Sequence, residues 1–360
     1  MNIRVLLISS IIDSASSRPD AELAFGLRRL DIEVDVMIPE WSAYKVPFED
    51  AGIRVISYLS PKKYSCEAIK LIRKEIMQRK YHIIHLFNTR AIVNGSFAAI
   101  GLPVKVIAYR GAAGLHWYDP TAWLAHLNPR VDKIICNSRY VQQNVRKQLF
   151  CKDRTVMIHK GMDISWFREV IPITRKELNI PENAIVIGCI ANVRKVKGVP
   201  YLVKATGYLN PELPVHILLV GSGMESGPVH ELIKASPLRE HIHILGFRKD
   251  VYNIIAACNI YIQPSLSESL SRSVMEAMSL GVPCIVSDAG GLTELVENNI
   301  SGLIVKKANE LELAKAIQLL TNDTEMQKEF AAKGRRRMKE IFSVENMVRN
   351  TGNLYHQLIS

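Results

Sequence analysis

The residues best suited to chemistry lie in Pro264-Ser-Leu-Ser-Glu268-Ser-Leu-Ser-Arg-Ser-Val-Met-Glu276-Ala-Met-Ser-Leu-Gly281-Val-Pro283. The spacing predicts a strand over Ile260 to Gln263, a serine-rich turn, and a helix stopped by Gly281 and Pro283. Backbone N–H groups of Ser271, Arg272 and Ser273 would then point outward at the helix start, where the helix dipole favours an anion such as a phosphate. Glu268 would lie in the turn and Glu276 in the second helical turn. Two acceptor carboxylates would flank that anion and suit the hydroxyls of a ribose and of a sugar. The competing reading is an ordinary capped surface helix with solvated glutamates.

Three cations, Arg194, Lys195 and Lys197, follow the apolar run Ile185 to Ile190 and could clamp a diphosphate leaving group; a solvated basic loop is the competing reading. Val215 to Val220 ends in Gly221-Ser-Gly223, a turn that lets backbone approach a ligand closely. In the first half, Arg110 and His116 sit in the glycine-relaxed stretch Tyr109-Arg-Gly-Ala-Ala-Gly-Leu-His116-Trp117. Arg110 could hold an acceptor phosphate or carboxylate, or else form a plain salt bridge. Lys62 to Lys80 carries seven basic and two acidic residues with an apolar helical stripe of Ala68, Ile69, Ile72, Ile76 and Met77. Burial of the stripe is the simple reading; its cations could also adsorb to anionic lipid.

The elements that must position these residues alternate along the chain. Strand-like apolar runs occur at 3–8, 32–38, 53–56, 82–86, 104–108, 133–136 and 155–158, then at 185–190, 215–220, 242–245, 260–263, 284–286 and 303–305, with helix-patterned segments between them. This pattern predicts an α/β protein of two doubly wound, Rossmann-like domains with ligand at the carboxyl ends of the strands, in a cleft between them. The expected boundaries are 1–170, 171–343 and a last helix, 344–360, with Arg168 to Asn183 as linker. In that helix Met347, Thr351, Leu354, Tyr355 and Leu358 share one face that needs a surface to pack on.

Composition agrees. A chain of 360 residues, 48% hydrophobic and 22% charged, is ordinary globular material for two domains at roughly 150 residues each. The net charge of +11 is uneven: residues 1–170 hold 25 basic and 16 acidic residues, and 171–360 hold 21 and 19. The partners this charge suggests are an anionic membrane, nucleic acid or a phosphorylated substrate. Six cysteines without CxxC or Cys/His spacing read as small core residues in a reducing compartment. No apolar run approaches the ~20 residues of a membrane span, and Val5 to Ile12 reads as a buried strand, not a signal peptide. The expected location is therefore the cytosol, or the cytosolic face of a membrane.

An ordered set of landmarks resembles glycosyltransferase family 4, the retaining, nucleotide-sugar-dependent enzymes of GT-B fold. They are Lys197-Gly198, Val220-Gly221-Ser-Gly223, Leu245-Gly246, Pro264-Ser265, Glu268 with Glu276, Gly281-Val-Pro283, Asp288-Ala-Gly-Gly291-Leu-Thr-Glu294 and Gly302-Leu-Ile-Val305. The first half matches in outline, through Ser138 and Lys160-Gly161-Met-Asp163. By this resemblance, Glu276 would bind the ribose, Glu268 the transferred sugar and Lys197 the diphosphate. The loop Gly246 to Val251 would face the nucleobase, His116 would contact the donor sugar, and the last helix would cross back onto the first domain. The resemblance also implies front-face attack, with the leaving phosphate taking the acceptor proton. Closure of the domains would exclude water, and the acceptor would be a glycolipid or growing cell-surface glycan. UDP is its commonest donor nucleotide. The pattern departs at Asn192, where the family has arginine and Arg194 stands as substitute, and at Ser14-Ala-Ser-Ser17-Arg18, where it has a glycine-rich loop.

Other readings fit less well. Gly221-x-Gly223-x-x-x-Gly227 misses the G-x-G-x-x-G spacing of a dinucleotide-dependent oxidoreductase. A GT-B sugar-nucleotide epimerase is an alternative that the setting of Glu268 and Glu276 fits less well than it fits the transferases, and a nucleic-acid binder would need a recognition helix, zinc or stacking motif. A protein that binds nucleotide sugar without transferring it is the remaining alternative. No Asp-x-Asp occurs, so neither a catalytic metal nor any other cofactor is expected.

Overall fold

A computed structural model describes residues 3–12, 17–58 and 62–360. The chain divides into two compact units: residues 1–162 with 342–360, and residues 163–341. The division falls at Met162/Asp163 and not at 170/171. The segment expected as a linker is packed into the second unit, because Arg175 donates to Ala257 O (2.5 Å) and Asn259 Oδ1 (2.9 Å) while Leu178 and Ile180 are buried.

The first unit holds seven parallel strands: β1 (Arg4–Ile8), β2 (Glu33–Ile38), β3 (Arg54–Ser57), β4 (Ile83–Leu86), β5 (Lys105–Arg110), β6 (Lys133–Cys136) and β7 (Thr155–Met157). Their order across the sheet is β3-β2-β1-β4-β5-β6-β7. The second unit holds six: β8 (Ile185–Ile190), β9 (Val215–Val220), β10 (Ile242–Gly246), β11 (Ile260–Gln263), β12 (Cys284–Ser287) and β13 (Gly302–Val305), ordered β10-β9-β8-β11-β12-β13. Near-continuous runs such as Val-His-Ile-Leu-Leu-Val are buried along their whole length, as a parallel sheet covered on both faces requires. In each sheet the strand order reverses beside the first strand of its unit, which in the second unit places β8 next to β11.

The last helix, Val344–Ile359, belongs to the first unit. It lies on the helix Arg18–Arg29, and Gly26 permits the approach: a Cβ there would stand 2.3 Å from Val348 Cγ2. Met347, Thr351, Leu354 and Tyr355 are buried, and the Tyr355 hydroxyl meets His85 Nδ1 at 2.8 Å. Of the six cysteines, Cys136, Cys189, Cys258 and Cys284 are buried, whereas Cys66 and Cys151 are exposed, contrary to a uniform core role. Among the described residues no helix is long and apolar enough to cross a membrane.

Candidate active site

The second unit gathers the candidate residues at the carboxyl ends of β8 and β11. Behind β8, the Lys195–Lys197 turn ends at Gly198, whose φ is +66° and whose added Cβ would lie 1.9 Å from Pro264 O. The Leu266 N–H donates to Val196 O (2.7 Å) and stitches this loop to the one leaving β11. Across that seam Lys197 Nζ reaches Glu268 Oε2 at 2.5 Å, a half-buried ion pair.

A chain of side chains continues inward. The Ser265 hydroxyl donates to Glu268 Oε2 (3.3 Å), and Gln263 Nε2 donates to Ser265 Oγ (3.0 Å). Gln263 Oε1 in turn accepts from Ser273 (3.0 Å) and from the Tyr261 hydroxyl (3.2 Å). Ser271 and Ser273 share a hydrogen bond of 3.2 Å. Gln263, Ser265 and Ser271 are all buried, so the network fixes the loop rather than decorating its surface.

Ser271 caps the helix Arg272–Ser279 by position, but its hydroxyl makes no capping bond to the first-turn N–H groups. One turn on, Glu276 is 3% exposed, which excludes a solvated glutamate. Burial raises its pKa above the ordinary carboxylate value; Arg272, whose Nε sits 2.8 Å from Oε1, and the Tyr252 hydroxyl oppose that rise.

The turn after β12 braces the Glu268 loop. The Gly291 N–H donates to Glu268 O (3.1 Å), and a Cβ at Gly291 would overlap Ser269 O at 1.3 Å. Asn192 is tied to the glycine turn after β9, its Oδ1 accepting from the Ser222 N–H at 3.0 Å. Arg194 is exposed, with no protein carboxylate paired to it among the described residues. Gly246 ends β10 at φ +62°, and its carbonyl accepts from the Gly221 N–H (2.8 Å). Beside it Glu225 accepts from the Gly223 N–H (3.0 Å), and such backbone N–H donors hold its carboxyl below the usual range.

Lys197, Glu268, Ser265, Gln263, Ser273 and Ser271 therefore form one hydrogen-bonded network, Arg272 and Glu276 form a separate pair on the helix that Ser271 begins, Arg194 lies on the same β8 loop and Gly246 on the β10 end. Gln263, Tyr261, Tyr252 and Glu225 were not anticipated. The polar Gln263 closing an apolar strand was the one available signal, whereas Tyr252 and Glu225 come from separate loops.

Arg110 and His116 belong to the first unit. Arg110 forms no salt bridge among the described residues: its Nε and Nη2 donate to Ala112 O (2.6 Å) and Gly114 O (2.5 Å), shaping its own loop with two of its five N–H donors, and burial lowers its pKa. His116 is exposed and stacks on Tyr118 at 5.1 Å. In the helix Cys66–Arg79, Ala68, Ile72 and Ile76 are in the core, but Met77 is 58% exposed. Arg73 donates to Ala98 O and Ile100 O, and Arg79 pairs with Glu33 (2.8 Å), so two of the seven cations of Lys62 to Lys80 are structural. Of the unusual Ser14–Arg18 segment, Ser14 to Ser16 lie outside the described residues. Among the described residues no three His, Cys, Asp or Glu side chains stand together as metal ligands would.

Residues 170–337 match the family described as Glycosyl transferases group 1, and residues 21–166 match Glycosyltransferase Family 4. The chain is 29% identical over 195 residues to N-acetyl-alpha-D-glucosaminyl L-malate synthase of Bacillus anthracis, covering 54% of this chain and 51% of that protein. It is 26% identical over 286 residues to UDP-Gal:alpha-D-GlcNAc-diphosphoundecaprenol alpha-1,3-galactosyltransferase of Escherichia coli, covering 75% and 73%. Several curated relatives are thus matched over about half their length. Among solved structures, a glycosyltransferase from Rickettsia africae superposes with a TM-score of 0.82 at 20% identity, covering 100% of this chain and 99% of that one. Anabaena HepE in complex with UDP superposes with a TM-score of 0.80 at 22% identity, covering 99% and 100%. These likenesses show the GT-B fold.

Proposed function

We infer what this enzyme transfers from the premise that the chain belongs to glycosyltransferase family 4. It moves a hexose-type sugar from a nucleotide sugar, UDP-linked, to a lipid-linked or growing cell-surface glycan, with retention at the anomeric carbon and without a catalytic metal. The observation that carries this reading is the network joining the β8 and β11 loops, in which a cation and a loop carboxylate are tied through Ser265, Gln263 and Ser273 to the start of the helix that carries a buried carboxylate.

In this reading Glu276, held by Arg272, accepts from the ribose hydroxyls, and Glu268 accepts from hydroxyls of the transferred sugar. Lys197 and Arg194, with the N–H groups of Arg272 and Ser273, stabilise the diphosphate as it leaves. The bond from the anomeric carbon to phosphate oxygen breaks as the acceptor oxygen bonds to that carbon on the same face. The acceptor proton passes to the departing phosphate oxygen, so no protein nucleophile is needed. His116 contacts the donor sugar, and the loop beginning at Gly246 faces the base. The E. coli relative, by its name, uses UDP-Gal and a diphosphoundecaprenol-linked acceptor, which supports this donor and acceptor class, and HepE has been crystallised with UDP and with UDP-glucose, which supports the donor class.

The test is a thermal-shift screen in EDTA against UDP, GDP, ADP and their sugar conjugates, followed by transfer assays with lipid-linked acceptors. A ligand bound to the native state raises its stability. A selective rise with UDP conjugates and EDTA-resistant turnover are the expected results. Selectivity for GDP would change the donor, and loss of activity in EDTA would overturn metal independence.

A further inference from the structure

The first unit displays an aromatic surface next to His116, the one residue there to which the proposed reaction gives a role. The stretch Leu115 to Leu127 is anchored inward by Leu115, Ala122, Ala125 and Leu127, all in the core. It presents outward Trp117 (62% exposed), Tyr118 (67%), Trp123 (39%) and Leu124 (47%). These are not frayed side chains. The indole N–H of Trp123 donates to Trp117 O (2.6 Å), the Trp117 N–H donates to Gln148 Oε1 (3.0 Å), and Asp119 caps the short helix through Thr121 (2.8 Å). Two residues past Gln148, Phe150 is 96% exposed.

Cations lie beside this surface. The Asp119 carboxyl is held below its usual range chiefly by the Thr121 hydroxyl and N–H, and additionally by Lys63, which places the 62–64 segment beside the loop. Lys63 and Lys147 are exposed, as is Tyr64. Residues 51–150, which include the whole surface, hold sixteen Lys and Arg against four Asp and Glu, and of these cations Arg54, Arg73, Arg79, Arg110 and Arg130 are bonded within the fold. Exposed apolar patches rimmed by charge mark interaction sites, and Trp and Tyr with an apolar body and a bonded polar edge settle at the headgroup level of bilayers, where basic residues meet anionic lipid.

We infer that the loop Trp117–Leu124, with Phe150 and the Lys62–Tyr64 segment, is a docking surface for an anionic bilayer. This moves the expected lipid contact from the helix Cys66–Arg79, two of whose cations are committed to the fold, to the aromatic loop beside its start. The purpose of such docking rests on the reading of a lipid-linked acceptor; its geometry does not.

Full-length protein is sedimented with vesicles of phosphatidylcholine alone or with phosphatidylglycerol, and its tryptophan fluorescence is recorded with brominated phosphatidylcholine in the same vesicles. Expected are binding to the anionic vesicles and quenching by bromine. The Trp117→Ser/Tyr118→Ser double variant should bind at least roughly tenfold more weakly, the worth of one aromatic side chain leaving an apolar phase. Lys62→Glu/Lys63→Glu, which leaves the aromatic loop intact, should lose the preference for anionic vesicles. Circular dichroism and thermal unfolding confirm that each variant is folded. Undiminished binding by a folded double variant, or no bromine quenching of the wild type, would overturn the inference. So would fluorescence that responds to soluble oligosaccharide and not to vesicles, which would mark a glycan platform. Transfer to a water-soluble acceptor, measured separately, reports on the proposed reaction and not on the surface.

Discussion

Lys197 Nζ and Glu268 Oε2 stand 2.5 Å apart across the seam between the loops of β8 and β11, so in the free enzyme the two groups satisfy each other. Their side chains are 17% and 14% exposed, and removing one partner of such a pair leaves a charge poorly solvated. Lys197→Ala and Glu268→Gln should each lower the thermal midpoint without donor, and the double variant should recover part of that loss. The double-mutant cycle measures it directly. In transfer assays Lys197→Ala should cost about 10²–10³ in turnover, the scale of losing one stabilising donor at a developing charge. Normal turnover in Lys197→Ala would remove the ammonium from the leaving-group site.

Glu276 makes a different prediction because its burial favours the protonated acid. A carboxyl whose folded pKa is raised above the unfolded value costs the fold stability as pH climbs above the unfolded pKa. Glu276→Gln should therefore stabilise the free protein at pH 7.5 and have little effect near pH 4. A gain of about 1 kcal/mol would raise the midpoint by about 2–4 °C for a unit of this size. The same variant should weaken donor binding in isothermal titration, since an amide cannot replace an ionised acceptor of two hydroxyl bonds. A destabilised variant at pH 7.5 would mean that the Arg272 contact outweighs the burial cost.

The sheet strands and most of this cluster were legible in the sequence because each strand is a nearly unbroken apolar run, and because Glu268, Ser271 and Glu276 lie within one strand-turn-helix segment. Lys197 was legible from its cluster of cations, although its partnership with Glu268 was not, since 71 positions separate them. Arg110 shows the opposite limit. Its charge suggested an anion or a salt bridge, and the two bonds that it makes to carbonyls only two and four residues ahead are a local loop geometry that composition does not encode. The linker failed for a similar reason: Pro172 and Pro181 suggested an open segment, while Arg175 fastens it to residues more than eighty positions away.

Gly291 tests whether the turn after β12 positions Glu268. Its N–H holds the Glu268 carbonyl, and any Cβ there would overlap Ser269 O, so Gly291→Ala must displace the 268–270 loop. Donor-dependent turnover should fall at least about tenfold, with a stability loss of about 1–3 kcal/mol from overpacking. Gly207→Ala is the control, because a Cβ there meets nothing within 4 Å and the change removes only unfolded-state freedom. It should leave turnover unchanged and the midpoint level or slightly higher. Equal behaviour of the two variants would show that the loop relaxes without carrying Glu268 away.

Acid should loosen the first unit through its buried histidines. His85 is 1% exposed, its Nδ1 meets the Tyr355 hydroxyl, and its Nε2 has no partner among the described residues, so burial lowers its pKa to about 3. Burial, aided by Arg110, lowers that of His126 to about 4. Both folded values lie below the unfolded value of about 6.5, so their neutral forms contribute stability that is complete above pH 6.5 and is lost as pH falls toward 4 and then 3. Each histidine costs about 1.4 kcal/mol per pH unit through that window. Urea unfolding followed by tryptophan fluorescence is suited to this unit, since Trp41, Trp117 and Trp123 belong to it and only Trp166 lies in the other. Between pH 6 and 5 the unfolding free energy should fall by about 2–3 kcal/mol. His85→Phe should lower the value at pH 7.5, because the Tyr355 hydroxyl loses its partner, yet flatten the slope by about half. An unchanged slope would mean that His85 gains its proton without unfolding, through access that the buried ring and the last helix do not show.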